Sequence, residues 1–317
     1  MPSATFINPL DNPIFFDVII RVILIFAIGF LLLLIKYKFS PQRLLKSNLG
    51  KIFTGWSVLI PVYLAAIFSG RVLGLIVLVV FMFVAIREIE KASKIPRAYT
   101  YSLYFLVLLS LAIASYATDY FLSLPLIYFM VLTFIAIRMN DSKRGFADLS
   151  ISMFSSIWII FGTSHFVLLS NYNNTLDDTR SLLLMLIFAV SASDIGAYIF
   201  GKFFQKIKFL DKYKIADNIS PNKTYIGTLG HIIGAGFGIW VLYFAINHYV
   251  SLGHWIVISI LIGIFGLVGG LLNSLFKRYY NIKDSSDLIP GHGGILDRID
   301  SSIRVVVILY YYLLLVM

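Results

Sequence analysis

Ten apolar runs punctuate the chain, at 16–35, 54–69, 71–87, 100–117, 120–137, 150–170, 181–200, 225–247, 254–276 and 301–317. Runs of about 18 or more apolar residues with few charges read as membrane-crossing helices. The pattern predicts an all-α, polytopic integral membrane protein with about ten transmembrane helices. Only Ser69 and Gly70 separate the second and third runs, which predicts a tight helical hairpin there. The last run closes on Met317, so it is expected to tilt or to sit short of full bilayer thickness. No Lys or Arg precedes Arg21, and no small-residue cleavage site follows the first apolar core, so the first run is expected to be a retained helix.

Charge orients the array. With the N-terminus outside, the inside connections are 36–53, 88–99, 138–149, 201–224 and 277–300. These segments and their flanks carry the Lys and Arg residues, leaving only Arg21, Arg71 and Arg180 on the outer side. Cytoplasmic loops are enriched in Lys and Arg, so this asymmetry supports the even number of spans and a cytoplasmic inner face. Arg21 lies within the first run and is expected to snorkel to the interface. The most polar connections, 201–224 and 277–300, open on the same cytoplasmic face, where a soluble charged cosubstrate would arrive. The chain thus divides into 1–180, transmembrane helices without a recognisable motif, and 181–317, a C-terminal catalytic region carrying those two loops.

The composition is 59% hydrophobic and 13% charged, with mean hydropathy +0.87. Such a chain cannot clothe an ordinary aqueous surface, which excludes a soluble domain. The formal charge of +10 is accounted for by the inside loops, and no nucleic-acid partner is expected. The absence of cysteine excludes disulfides, thiolate metal sites and a cysteine nucleophile.

Candidate chemistry concentrates in Ser274–Ser301, SLFKRYYNIKDSSDLIPGHGGILDRIDS. Four cations (Lys277, Arg278, Lys283, Arg298) and four carboxylates (Asp284, Asp287, Asp297, Asp300) flank a Pro290–Gly294 turn. Glycines such as Gly293 and Gly294 let backbone N–H groups approach an anion, while the cations neutralise phosphate charge. Carboxylates hold Mg²⁺, a hard cation usually bound by one or two carboxylates plus substrate phosphates. Asp297 and Asp300, at i and i+3, would share one face of a helix starting near Leu296. A second segment, SASDIGAYIFGK, sets Asp194 within an apolar helix about two turns from its inner end, and intramembrane carboxylates are functional by default. Tyr198 and Lys202 follow at i+4 steps, leading from Asp194 to the inner surface. A third, SPNKTYIGTLG, reads as a helix N-terminus, with Ser220 as N-cap and Pro221 at the first position. It carries Lys223 and Thr224, an arrangement suited to an anion. His165, alone in an apolar run, reads as a hydrogen-bonded packing residue.

All three segments resemble the phosphatidate cytidylyltransferase (CDP-diacylglycerol synthase) family. Its signature of a Ser, Lys-Arg, Lys-Asp, PGHGG and Asp-Arg-x-Asp stands here at the family's spacing. The family's D-x-x-A-Y-x-x-G-K matches Asp194–Lys202, and its S-P-x-K-T-x-x-G matches Ser220–Gly227. The resemblance implies transfer of CMP from CTP to phosphatidate, with Mg²⁺ as cofactor. It also implies catalytic roles for Asp284, His292, Asp297, Arg298 and Asp300. Substrate contacts are expected from Asp194, Lys202, Ser220, Lys223, Thr224, Lys277, Arg278, Lys283, Gly293 and Gly294, and metal ligation from Asp297, Asp300, Asp284 and Asp194. Membrane lipids are the expected surroundings, and a homodimer is compatible with this reading. Other CTP-dependent lipid enzymes (an isoprenoid-lipid cytidylyltransferase or a polyprenol kinase) stay open, as does a transporter or a degenerate paralogue. The best support for the last is Gly270, which stands where relatives usually have an acid; in further departures Asn273 takes another often acidic place and His231 replaces a usual glycine. The Gly201–Ser220 segment, basic and amphipathic, is longer than the family pattern.

Overall fold

A computed structural model describes residues 8–172, 176–204, 214–246, 251–289, 291 and 293–316. The chain folds as α1 (Phe15–Lys36), α2 (Pro41–Lys46), α3 (Asn48–Phe68), α4 (Arg71–Ser93), α5 (Arg97–Tyr116), α6 (Leu124–Met139), α7 (Gly145–Ser155), α8 (Gly162–Ser170), α9 (Leu176–Phe204), α10 (Tyr225–Val241), α11 (Tyr243–Ile246), α12 (Leu252–Tyr279) and α13 (Leu296–Val316). A π-helical turn, Ser156–Phe161, joins α7 to α8 in one continuous span. Nine helices among the described residues are long and apolar enough to cross a membrane, and no strand is formed there. The remaining predicted run is α10, which stops at Val241, before the predicted 247; α11 follows as a separate turn. The predicted hairpin is formed: α4 begins immediately after Gly70, whose φ of +98° suits a residue without a Cβ.

Contacts between helices sort by end, as an alternating array requires. At the end bearing 88–99, 138–149 and 277–300, Arg144 donates to Ser93 O at 3.4 Å and Arg278 to Ile219 O at 3.3 Å. At the opposite end, Tyr172 donates to Leu313 O at 2.8 Å, Asn171 to Ala114 O at 3.3 Å, and His254 bonds Tyr312 at 2.7 Å. Arg21 does not merely reach for the interface: its guanidinium lies 4.2 Å from the Phe244 ring centroid, a cation–π contact that anchors α1.

Small residues set the closest approach. Gly230, Gly234 and Gly238 recur every fourth position on α10 and face Gly196, Ala192 and Ala189 of α9. A Cβ at Gly238 would lie 2.7 Å from Ala189 Cα, and one at Gly230 would lie 2.7 Å from Gly196 O. Membrane helices lack a hydrophobic drive to associate and rely on such backbone-close packing. Gly269 does the same for α12 and α13, where a Cβ would come 2.5 Å from Asp300 O. One core joins Leu59, Met82, Leu103 and Leu132 of the first half to Phe276, Ile295, Leu296 and Ile303 of the second.

Candidate active site

The site lies where α12 and α13 converge at the motif-bearing end. Asp297, in the first turn of α13, accepts from Lys277 Nζ at 2.7 Å and Asn273 Nδ2 at 3.0 Å through Oδ1. Its Oδ2 accepts from the backbone N–H groups of Ser285 at 2.8 Å and Gly294 at 3.1 Å. The Asn273 amide also donates to Asp300 Oδ2 at 2.9 Å. Asp297 and Asp300 therefore share a face, joined by an amide that stands in an often acidic place.

The turn between them is shaped by what its glycines face. Gly291 and Gly293 hold φ of +73° and +78°, which L side chains rarely adopt. A Cβ at Gly291 would strike Ile52 N at 2.8 Å; one at Gly293 would strike Asp297 Oδ2 at 2.7 Å. Gly294 packs on Glu88, where a Cβ would lie 2.6 Å from the carboxylate carbon. Ile289 N–H donates to Gly293 O at 2.9 Å and closes the turn. Pro290 and His292 lie outside the described residues, so His292 is not placed.

Lys223 reaches in from the segment before α10. Its Nζ donates to Leu267 O at 3.4 Å and lies against Gly270, where a Cβ would come within 2.6 Å of it. The space of the missing acid is thus filled by the tip of a lysine. Burial pulls the Lys223 ammonium below the ordinary lysine range, and the fields of Asp300 and Asp194 oppose that shift. The helix start is corrected here. α10 begins at Tyr225 with Thr224 as its cap, accepting from Gly227 N–H at 3.1 Å. Ser220 is not the cap: its N–H bonds Ala216 O at 2.8 Å and its own carbonyl accepts from Lys223 N–H, in a turn outside the helix. The reason is pairing: Lys214 bridges Thr224, and Ile215 N–H donates to Lys223 O, holding this strip extended.

A cavity of about 520 Å³ opens beside these groups. Asp194, Asp297, Arg298, Asp300 and Gly291 line one end, while Trp56, Leu59 and Tyr63 of α3, Leu75 and Leu78 of α4, and Leu183 and Ile187 of α9 line its length. Asp194 lines this space, its side chain 56% accessible, and His231 Nδ1 stands 3.8 Å away. His231 is held by Ser193 Oγ at 3.0 Å, so this departure from the family glycine places an imidazole beside the carboxylate. Arg298 Nε is buried without a hydrogen-bond partner among the described residues, a donor left for a ligand.

Asp284 is exposed but borders the turn, its Cβ 3.4 Å from where a Gly293 Cβ would lie, beside Asp297. Lys202 approaches Tyr198 OH at 3.5 Å on an exposed face of α9, Arg278 donates to Ile219 O, and Lys283 is exposed on the loop. His165 behaves as a packing residue, its Nδ1 2.8 Å from Phe161 O among Phe121, Phe161 and Tyr310. Two features escaped the sequence reading. Much of the apolar cavity wall comes from α3 and α4, helices without motifs, and Glu88 on α4 binds Ser286, Ile295 and Leu296 beside the site from about two hundred residues away. Nothing in IREIEKAS distinguishes Glu88 from Glu90 except the register that buries it.

Mg²⁺ is tested by the donor set. Among the described residues no group of three or more His, Cys, Asp or Glu converges on one point. Asp297 already receives four protein donors. Asp194 and Asp300 line the same cavity, and two carboxylates with substrate phosphates are what Mg²⁺ ordinarily uses. The residues present fit one such ion.

With this geometry in view, likeness to known proteins is informative. The cytidylyltransferase family model matches residues 51–316. The phosphatidate cytidylyltransferase of Staphylococcus haemolyticus is 30% identical over 199 residues, covering 62% of this chain and 72% of that protein. That of Staphylococcus saprophyticus is 29% identical over 76% of this chain and 89% of its own length. That of Synechocystis is 38% identical over 44% of this chain and 45% of its own. The match leaves out α1 and α2 and takes in every helix that builds the cavity and the α12–α13 junction: the chain belongs to the cytidylyltransferase family.

Proposed function

We propose that the chain transfers the CMP moiety of CTP to phosphatidate, releasing pyrophosphate and forming CDP-diacylglycerol for phospholipid synthesis. The observation that carries this reading is the junction of two environments: Arg298 and the carboxylates of Asp194, Asp297 and Asp300 line a largely apolar cavity within the membrane-spanning bundle, and Lys277 pairs with Asp297. A lipid phosphate there meets a soluble nucleotide without leaving the membrane. We place that mouth on the cytoplasmic face, following the Lys and Arg distribution.

A phosphatidate oxygen forms a bond to the α-phosphorus of CTP while the bond from that phosphorus to the bridging oxygen of pyrophosphate breaks. A phosphate monoester is already nucleophilic, so the protein's task is alignment and charge neutralisation. Arg298, with its free Nε, and Lys223 hold phosphate oxygens. Lys277 and Asn273 keep Asp297 and Asp300 oriented, and the apolar wall from α3, α4 and α9 takes the acyl chains. Asp194 and Asp300 would hold Mg²⁺, which would supply further neutralisation of phosphate charge. The test is acceptor choice: purified protein with labelled CTP is offered phosphatidate, a polyprenyl phosphate and a polyprenol. Label entering lipid with phosphatidate supports the reading. Label entering only with a polyprenyl acceptor overturns it in favour of another CTP-dependent lipid enzyme, and no labelled lipid favours a degenerate paralogue.

A further inference from the structure

Glu88 is only 3% exposed at the inner end of α4, and it forms no ion pair with a described cation. Its Oε1 accepts from Ser286 Oγ at 2.6 Å and Ile295 N–H at 3.0 Å; its Oε2 accepts from Leu296 N–H at 2.9 Å. A buried carboxylate is costly unless hydrogen bonds satisfy its oxygens. Here three donors do, and two of them are N–H groups at the start of α13, where the helix offers unpaired donors and the positive end of its dipole.

The loop is held from both sides by carboxylates. Asp297 grips Ser285 and Gly294 from within α13, and Glu88 grips Ser286, Ile295 and Leu296 from α4. Gly294 has no room for a Cβ because Glu88 is there. Glu88 touches neither the cavity nor the phosphate-binding cations. Its effect runs through α13, whose first turn carries Asp297, Arg298 and Asp300.

We propose that Glu88 is a positioning residue: it fixes Ser286, Ile295 and Leu296 and aims the first turn of α13 into the site. This rests on the cytidylyltransfer reading, and it gives the motif-free half of the chain a part in the chemistry. Glu88→Gln removes the charge and turns an amide N–H toward backbone donors, so the α13 start shifts. A displacement near 1 Å at reacting groups costs on the order of 100-fold in rate, so kcat should fall about that much while KM for phosphatidate stays within about twofold. Hydrogen exchange supplies a readout independent of turnover: the Ile295 and Leu296 amides should lose protection in Glu88→Gln, with α5 amides unchanged. Ser286→Ala, a milder change that leaves the carboxylate in place, should speed exchange at the same amides and lower kcat severalfold. Wild-type kcat per folded molecule with a reduced melting temperature would mark a merely structural role and overturn the proposal. So would unchanged exchange at Ile295 and Leu296 in both variants. If wild-type protein makes no CDP-lipid, the functional reading fails while the exchange measurement still decides the role of Glu88.

Discussion

Asp297 and Asp300 look alike in sequence but do different work. Both line the cavity, but Asp297 is an acceptor for four protein donors and binds the loop to α12, whereas Asp300 shares the Asn273 donor and accepts from the adjacent Ser301 N–H. Asp297→Asn should therefore lower both turnover and stability, the latter by about 3 kcal/mol because it leaves Lys277 poorly paired. Asp300→Asn should abolish turnover with a much smaller stability loss. Thermal unfolding in detergent beside a rate assay separates the two, and equal melting temperatures would contradict the division. Lys223 gives a pH prediction. Its lowered pKa means the ammonium is lost at a lower pH than for an ordinary lysine, so affinity for CTP should fall as pH rises through that value. Lys223→Arg keeps its charge and should move the alkaline limb of the CTP KM profile upward; an unmoved limb would remove Lys223 from phosphate binding. Gly270→Ala would push only the flexible tip of that lysine, so it should fold normally and raise the KM for CTP.

At the scale of elements, the apolar runs were legible because each approaches or exceeds the length that a bilayer-crossing helix needs, whatever packs against it. The PGHGG turn was legible for a different reason: positive φ at Gly291 and Gly293 restricts residue type, so the chemistry is written locally. The cap of α10 was not, since Ser220 and Thr224 are both competent caps and only the Lys214–Thr224 pairing chooses between them. The cavity was hidden as well, because Leu59 and Leu75 would serve equally against lipid. Glycine spacing on α10 supplies a test. Gly234→Leu sets a side chain against the Ala192 carbonyl and should destabilise by about 1–3 kcal/mol or prevent folding. Gly201→Ala, on α9 with nothing within 4 Å, should be neutral in the same unfolding assay. Equal effects would mean α9 and α10 are not packed this way.

Across the whole molecule, the division at 180 describes where the motifs lie but not how the site is built. α3 and α4 supply the cavity wall, and Lys51 and Ile52 with Glu88 support the loop. α1 is almost bare, with Ile20, Ile23, Leu24 and Ile28 exposed, and the family match begins at residue 51. Deleting residues 1–46 should leave kcat within about twofold, since no group at the α12–α13 junction depends on α1; loss of turnover in a folded truncation would contradict this. The most direct measurement is mass spectrometry of the lipid product after purified wild-type protein and Asp300→Asn are each incubated with CTP, Mg²⁺ and phosphatidate of one defined chain length. CDP-diacylglycerol of that chain length, with pyrophosphate released in equal amount, is expected from wild type and none from Asp300→Asn. Pyrophosphate or labelled lipid appearing equally in both, or no CDP-diacylglycerol from well-folded wild type, would contradict it.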